Sequence, residues 1–396
     1  MITVVHINKF RSCEHVDLNK VGNLLVLIGH NGAGKSNILK AITWVAKKIS
    51  NKINLEEAKR QRISDDSGDI FLEFSINGNL YEYKINYSTE IEFKDAQMHF
   101  EVQFKESLYS VKNGMRRELL IRDGEKINVP ALDNKQFEVS KNISAISAMQ
   151  SLLSEGNSFR VVLESVTEFF SNVVYYPLEL SEKSEAHPLI TQEQYQEWLT
   201  KPSDKKDVDQ VMQMKILHLF LTKKEKFHEL VSLIGQDGLE IISNIDIQEL
   251  GDNVPTEEPN RISKIYFIRF RPSGHAEGKT FSIADLSFGT KRILSFILSL
   301  IYDSASVALV EQIEDGIHEG LIDKLVQLIR DYADGSQFIL ASHSTAVFNR
   351  LKPEEIRVVE LDKGVTKVRS LSELEITAAI SYMKNEGALS EFLQSI

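Results

Sequence analysis

The chain is 396 residues long, 42% apolar and 26% charged, which excludes wholesale disorder and allows roughly two to three domains. Its 57 acidic residues outnumber the 46 basic ones, and the formal net charge of −11 argues against a protein that coats nucleic acid, because phosphate neutralisation needs surplus Lys and Arg. A single cysteine, Cys13, excludes an internal disulfide and a Cys-rich zinc site, and fits a reducing cytoplasm.

The N-terminal residues include His6, Lys9, Arg11 and Glu14, where a secretion signal would need an apolar core. Residues 2–7 and Leu24–Ile28 read as strands, the second running into Gly29; Ile38, Ile42 and Val45 then recur at helical spacing. Strand, glycine-rich turn and helix open an α/β layer. Ile70, Leu72, Phe74 and Ile76 alternate, and so do Tyr81, Tyr83, Ile85 and Tyr87 beyond Asn77-Gly78, which predicts a hairpin. Met98, Phe100, Val102 and Phe104 suggest a further strand, so an antiparallel β lobe is expected here. Helical period returns from about residue 143. Val208, Val211, Met212, Ile216 and Leu219 form one apolar stripe, while the polar segment 181–207, with Pro188 and Pro202, reads as a connection. The longest strongly apolar stretch, residues 293–302, is about half of the ~20 residues a bilayer crossing needs. The C-terminal part is α/β again, with strands at 307–310, 338–341, 356–361 and 365–368 and a helix at 321–329. The expected organisation is an N-terminal half at 1–142, a helical insertion or lid at 143–260, and a C-terminal half at 261–396. A soluble cytoplasmic protein without membrane association is expected.

Gly29-His30-Asn31-Gly32-Ala33-Gly34-Lys35-Ser36 matches the phosphate-loop pattern G-x-x-x-x-G-K-[ST]. Backbone N–H groups of such a loop curl around phosphates, the lysine reaches the β and γ oxygens, and the hydroxyl can ligate Mg²⁺. The bland reading, a mere glycine turn, is outweighed by the strand before it and the amphipathic helix after it. Leu286-Ser287-Phe288-Gly289 begins another apolar helix; alone it is weak, since Ser at a helix start is usually an N-cap. The apolar strand 307–310 then runs into Glu311-Gln312-Ile313-Glu314-Asp315-Gly316, and a strand-end carboxylate is what a Mg²⁺ site opposite a phosphate loop requires. A second apolar strand ends in Ser342-His343, where the histidine could equally be a polar loop residue.

This series resembles the ABC-type ATPase head, within it the branch of SMC and RecF heads and OLD-like ATPases. "LSFGTKRIL" and "VEQIEDGIH" look most like the compact ATPases that accompany nucleases in bacterial anti-phage defence, of the PARIS or Septu kind. The resemblance covers residues 1–50 and 280–361, and implies a P-loop α/β head with an inserted antiparallel β lobe and a helical lid. It implies ATP and Mg²⁺ as ligands and head-to-tail pairing of two chains. Asn31, Gly32, Ala33, Gly34, Lys35, Ser36 and Asn37 would hold the triphosphate, and Ser287 and Gly289 of the other chain would aim a helix N-terminus at the γ-phosphate. Ser36 and Glu311 would hold the metal. His343 matches the switch histidine, and Asp315 and Gly316 the loop that crosses the dimer seam.

One position departs from the pattern. After the magnesium carboxylate such heads carry a Glu that polarises the attacking water; here it is Gln312, whose amide can hold water but not accept its proton. Either ATP serves this lineage as a structural or signalling ligand, or Gln312 is a substitution made to trap the ATP-bound state, the reading favoured because the rest of the set is intact. Glu314, past the strand end, is a weaker candidate base. The resemblance thus implies an ATP-driven switch of impaired hydrolysis that forms homodimers or higher homo-oligomers. Its partner would be a separate nuclease or toxin. A RecF- or SMC-like DNA-repair head is the alternative, with nucleic acid a partner left open. A transporter subunit fits poorly, because 252 residues separate Lys35 from Ser287. Basic clusters at Lys59, Arg60 and Arg62, at Arg116 and Arg117, and at Lys223, Lys224 and Lys226 read first as solvated faces, and the Tyr81, Tyr83, Tyr87 row as one face of a sheet.

Overall fold

The computed structural model describes residues 1–52, 67–94, 97–140, 143–176, 189–200, 208–250, 264–274 and 278–395. The basic cluster at Lys59, Arg60 and Arg62 lies outside them. By contact the chain forms two units, one of Met1–Tyr176, Ala305–Ile313 and Ile329–Ile396, the other of Pro177–Ser304 and Glu314–Leu328. These divisions fall at other points than the expected boundaries at 142 and 260.

In the first unit, β1 (Ile2–Phe10) and β2 (Cys13–Leu18) turn about Arg11-Ser12. Strand β3 (Leu24–Ile28) is buried at every position and leads through the phosphate loop into α1 (Lys35–Ile49). The lobe follows: β4 (Ser67–Ile76), β5 (Asn79–Lys94), β6 (Gln97–Lys112), β7 (Met115–Asp123), β8 (Lys126–Val129) and β9 (Lys135–Glu138). Asn77 and Gly78 both adopt positive φ, 49° and 78°, the two-residue turn expected between β4 and β5. The antiparallel sheet has the order β2-β1-β4-β5-β6-β7-β8-β9. Strand β1 therefore belongs to it and not to the α/β layer assumed from sequence. Its burial alternates, as suits a sheet covered on one face, whereas the uninterrupted burial of β3 suits a parallel sheet covered on both.

Helices α2 (Ala145–Leu152) and α3 (Ser158–Ser171) and strand β10 (Val173–Tyr176) complete this stretch. A buried ion pair fixes the start of α2. Glu106 accepts from Arg122 Nη1 at 2.9 Å, Tyr83 OH at 2.8 Å, Ser144 Oγ at 3.1 Å and the Ala145 amide at 3.2 Å, so the carboxylate sits on the helix N-terminus. Arg122 also donates to the carbonyls of Ile143, Gly124 and Ser140. Helix α1 is buried on more than one face, and Trp44 meets Phe10, Tyr87 and Phe104 at 5.6–6.3 Å between ring centroids. Tyr81, Tyr83 and Tyr87 are core residues of the sheet face.

The second unit holds β11 (Leu189–Thr191), α4 (Gln192–Thr200), α5 (Val208–Thr222), α6 (Lys224–Ile234), β12 (Ile242–Leu250), β13 (Ile265–Pro272) and α7 (Phe288–Asp303), with sheet order β11-β13-β12. The insertion is thus not helical alone. The polar segment's described middle is strand and helix, because Tyr195 and Trp198 pack with His218 and Tyr302, and Tyr195 OH meets His218 Nδ1 at 2.9 Å. Helix α5 carries more than one apolar stripe. Met214 and Leu217 are buried with Met212 and Ile216, and Lys291–Asp209 and Lys215–Asp303 ion pairs of 2.7 and 2.8 Å tie α5 to α7. Lys226 is no freely solvated charge, since it donates to the Ile301 carbonyl at 2.9 Å.

Strand β14 (Val307–Glu311), helix α8 (Glu319–Tyr332), strands β15 (Gln337–Ser342), β16 (Ile356–Asp362) and β17 (Val365–Ser370), and helices α9 (Glu373–Asn385) and α10 (Leu389–Ser395) follow. The mostly parallel sheet of the first unit has the order β10-β14-β15-β3-β16-β17. The buried Gln337 side chain accepts from the Ile2 amide and donates to the Ile2 carbonyl, each at 2.7 Å, fastening β1 to the root of β15. Among the described residues no helix is long and apolar enough to cross a membrane.

Candidate functional site

Strands β14, β15, β3 and β16 run parallel, so their carboxyl ends share one edge, where ligands of open α/β sheets bind. The register sets Glu311 beside Ala341, and Ser342 beside Ile28. The phosphate loop leaves β3, Glu311 ends β14, and His343 follows β15. At about 5 Å per strand, Glu311 stands two strands, roughly 10 Å, from the root of the loop.

Asn31 and Gly32 are exposed at the loop crest, Ala33 is buried, and Ser36 and Asn37 are half-buried. Lys35 Nζ donates to the carbonyls of Gly29 and His30 at 2.7 and 2.9 Å, which holds the ammonium over the loop. No side chain caps α1; Gly34 takes the N-cap position, so amide donors at the helix start suit an anion. Gly34 has φ 100°, and a Cβ there would stand 1.9 Å from Thr366 Oγ1. Only glycine satisfies both demands.

The three residues at the neighbouring strand ends form the second part of the site. Glu311 is 8% exposed. Gln312 lies in the left-handed region at φ 47°, a conformation costly for a long side chain and concentrated at functional positions. Its amide N–H donates to the Ala341 carbonyl at 2.7 Å, and its Nε2 meets Nδ1 of the exposed His343 at 3.5 Å. The structure therefore brings together Gln312 and His343, and aligns Glu311 with the phosphate loop on one edge. Chemically, the Ser36 hydroxyl and Glu311 carboxylate are hard oxygen donors that fit Mg²⁺. Gln312 can orient water without taking its proton.

Ser287 and Gly289 lie in the second unit. Ser287 is the N-cap of α7, accepting from the Thr290 amide at 3.2 Å, and both Ser287 and Phe288 are exposed. The modest N-cap reading is correct, and it leaves the helix tip at the surface. A Cβ on Gly289 would fall 2.1 Å from the Gly316 carbonyl, so signature turn and Asp315-Gly316 loop touch backbone to backbone. Arg292 lies 3.9 Å from Asp315; burial lowers its proton affinity, while Asp315 and Glu314 raise it. Glu314 is buried beyond the strand end.

Three residues behind the loop carry no motif. Thr366 of β17, fully buried, donates to the Ala33 carbonyl at 3.0 Å. Ser12 Oγ stands 2.7 Å from Thr366 Oγ1, and Asn37 Nδ2 donates to Ser12 Oγ at 2.8 Å. Arg11 Nη1 reaches Asn37 Oδ1 at 3.4 Å. Burial pushes the adjacent Cys13 thiol up to about 12, against the opposing pull of Thr366, Ser12 and Arg11, so it stays protonated.

The family described as "AAA domain, putative AbiEii toxin, Type IV TA system" matches residues 24–349. An uncharacterized protein of Methanocaldococcus jannaschii, MJECL44, is 46% identical over 43 residues, 11% of this chain and 13% of that protein. The DNA replication and repair protein RecF of Leptospira biflexa is 34% identical over 88 residues, 21% of this chain and 23% of RecF. The matched stretches thus span less than a quarter of either relative. Among solved structures, an SMC head bound to the C-winged helix domain of ScpA is similar in fold, with a TM-score of 0.50 at 14% identity over 94% of this chain and 99% of that one. Sequence match and phosphate loop agree: the chain belongs to this AAA family, and its fold is similar to that of an SMC head.

Proposed function

We infer that the chain is an ATP-binding switch that assembles on Mg·ATP and controls a separate effector, a nuclease or toxin, in anti-phage defence. The observation that carries this reading is the shared edge of β3, β14 and β15, with the loop to Lys35 and Ser36 leaving β3, Glu311 and Gln312 at the end of β14, and His343 just past β15. The toxin–antitoxin description of the family favours effector control.

Lys35 and the amides from Gly32 to Ser36 would grip the triphosphate, and Ser36 with Glu311 would hold Mg²⁺. The cation supplies charge neutralisation at the β and γ oxygens when bound. Gln312 would position water while denying it a base, which leaves hydrolysis slow and the bound state long-lived. His343, in contact with Gln312, would register the γ-phosphate. The exposed tip of α7, at Ser287 and Gly289, would close over the nucleotide of a second copy, so that assembly and ATP affinity rise together by linkage.

Size measurement of the purified chain tests this: Mg·ATP should convert it to a dimer or larger homo-oligomer, and an unchanged mass at saturating Mg·ATP refutes the switch. The similarity to RecF favours a second reading, a DNA-repair head. That reading requires salt-sensitive DNA binding by the isolated chain, against its net charge of −11.

A further inference from the structure

The groups behind the phosphate loop form a chain whose direction is fixed at both ends. A guanidinium can only donate and a carbonyl can only accept, so with Arg11 at one end and the Ala33 carbonyl at the other every group between has one possible role. Arg11 donates to Asn37 Oδ1 at 3.4 Å and Asn37 Nδ2 donates to Ser12 Oγ at 2.8 Å. Thr366 spends its single proton on Ala33, at 3.0 Å, so Ser12 must be the donor in the 2.7 Å contact between the two hydroxyls. The β1–β2 turn, the first turn of α1 and strand β17 are thereby joined through side chains. Thr366 is held to the turn by backbone as well, its N–H donating to the Ser12 carbonyl at 2.7 Å.

The chain ends on the peptide that carries the Gly34 N–H. Hydrogen bonds in series polarise one another, and a peptide whose carbonyl accepts a bond becomes a better donor at its N–H. With Gly34 pressed so closely on Thr366 that no Cβ fits between them, the loop cannot slacken without breaking the chain.

We propose that Arg11, Asn37, Ser12 and Thr366 form a charge-headed relay that sharpens the Gly34 amide for a phosphate oxygen, Ser12 and Thr366 being positioning residues for polyphosphate binding. The proposal rests on reading Gly29–Ser36 as the phosphate loop. Thr366→Val, Ser12→Ala, the double variant, Thr366→Ser and Lys35→Ala are compared for affinity toward Mg·ATP and toward inorganic tripolyphosphate, with circular dichroism as the fold control. Thr366→Val and Ser12→Ala should each weaken both ligands about five- to tenfold, the worth of one hydrogen bond in a cooperative series. The double variant should bind no worse than Thr366→Val, and Thr366→Ser should keep the parental affinity. If Thr366→Val fails to fold, Ser12→Ala against Thr366→Ser carries the comparison. Parental affinity in the broken variants, or additive losses in the double one, overturns the relay while a weakened Lys35→Ala keeps the phosphate-loop reading. Undiminished binding by Lys35→Ala removes that reading and the relay with it.

Discussion

Exchanging Gln312 for Glu replaces one terminal NH2 by oxygen and changes nothing else in length or branching. Both residues bear the same burden at φ 47°, so the backbone demand is unchanged and the comparison isolates the chemistry. The new carboxylate oxygen would stand where Nε2 lies, 3.5 Å from His343 Nδ1, and keeping that contact requires the proton on the ring nitrogen. A positioned general base contributes roughly 10²–10⁴ in rate. At about 1.4 kcal/mol per decade this lowers the barrier by about 3–5 kcal/mol. Phosphate release under single-turnover conditions, with the protein in excess over Mg·ATP, measures it directly. Gln312→Glu should gain at least about a hundredfold, and its rate should acquire an acid limb as the carboxylate protonates. Gln312→Ala should show no gain. Turnover in Gln312→Glu within a few-fold of the parent would refute the assignment of this position as the general-base site.

Two predictions concern stability. Glu106→Gln removes the charge opposite Arg122, and both side chains are at most 1% exposed, so the guanidinium is left uncompensated; a loss of about 3–5 kcal/mol is expected from urea midpoints. Lys48 is buried over the Phe104 ring at 3.9 Å, and burial lowers its pKa from 10.5 to about 8 despite the favourable charge of Glu106. Between those values the unfolded chain holds a proton that the folded chain has released, so stability rises with pH across this window, by up to about 3 kcal/mol. Lys48→Met should abolish that rise, read as the difference between urea midpoints at about pH 7 and about pH 10.5. An unchanged slope would show that Lys48 is charged and accommodated throughout.

The phosphate loop, both strand-end groups and the Asn77-Gly78 turn were legible because each is local: a few adjacent residues carry the pattern and its physical reason. The sheet that β1 joins was not, since its pairing with β4 instead of the parallel sheet is decided by partners some seventy residues away. The helix at Gln192–Thr200 was hidden in a polar stretch, because Tyr195 and Trp198 bury it through partners on α5 and α7, and tertiary packing outweighs weak local preference. Thr366 and Ser12 are ordinary hydroxyl residues in sequence. Their importance exists only once β17 and the β1–β2 turn meet behind the loop.

The place of β3 in its sheet has a consequence for how the head comes into being at the ribosome. Its two hydrogen-bonded neighbours, β15 and β16, are both translated more than 300 residues later. At about 5–20 residues per second, the strand bearing the nucleotide loop waits roughly 15–60 s for either edge to be paired. The antiparallel lobe, nearly all of it contiguous, can close during that interval. The strand edge that carries the nucleotide loop is thus completed only when synthesis is almost finished, after β15 and β16 have been made.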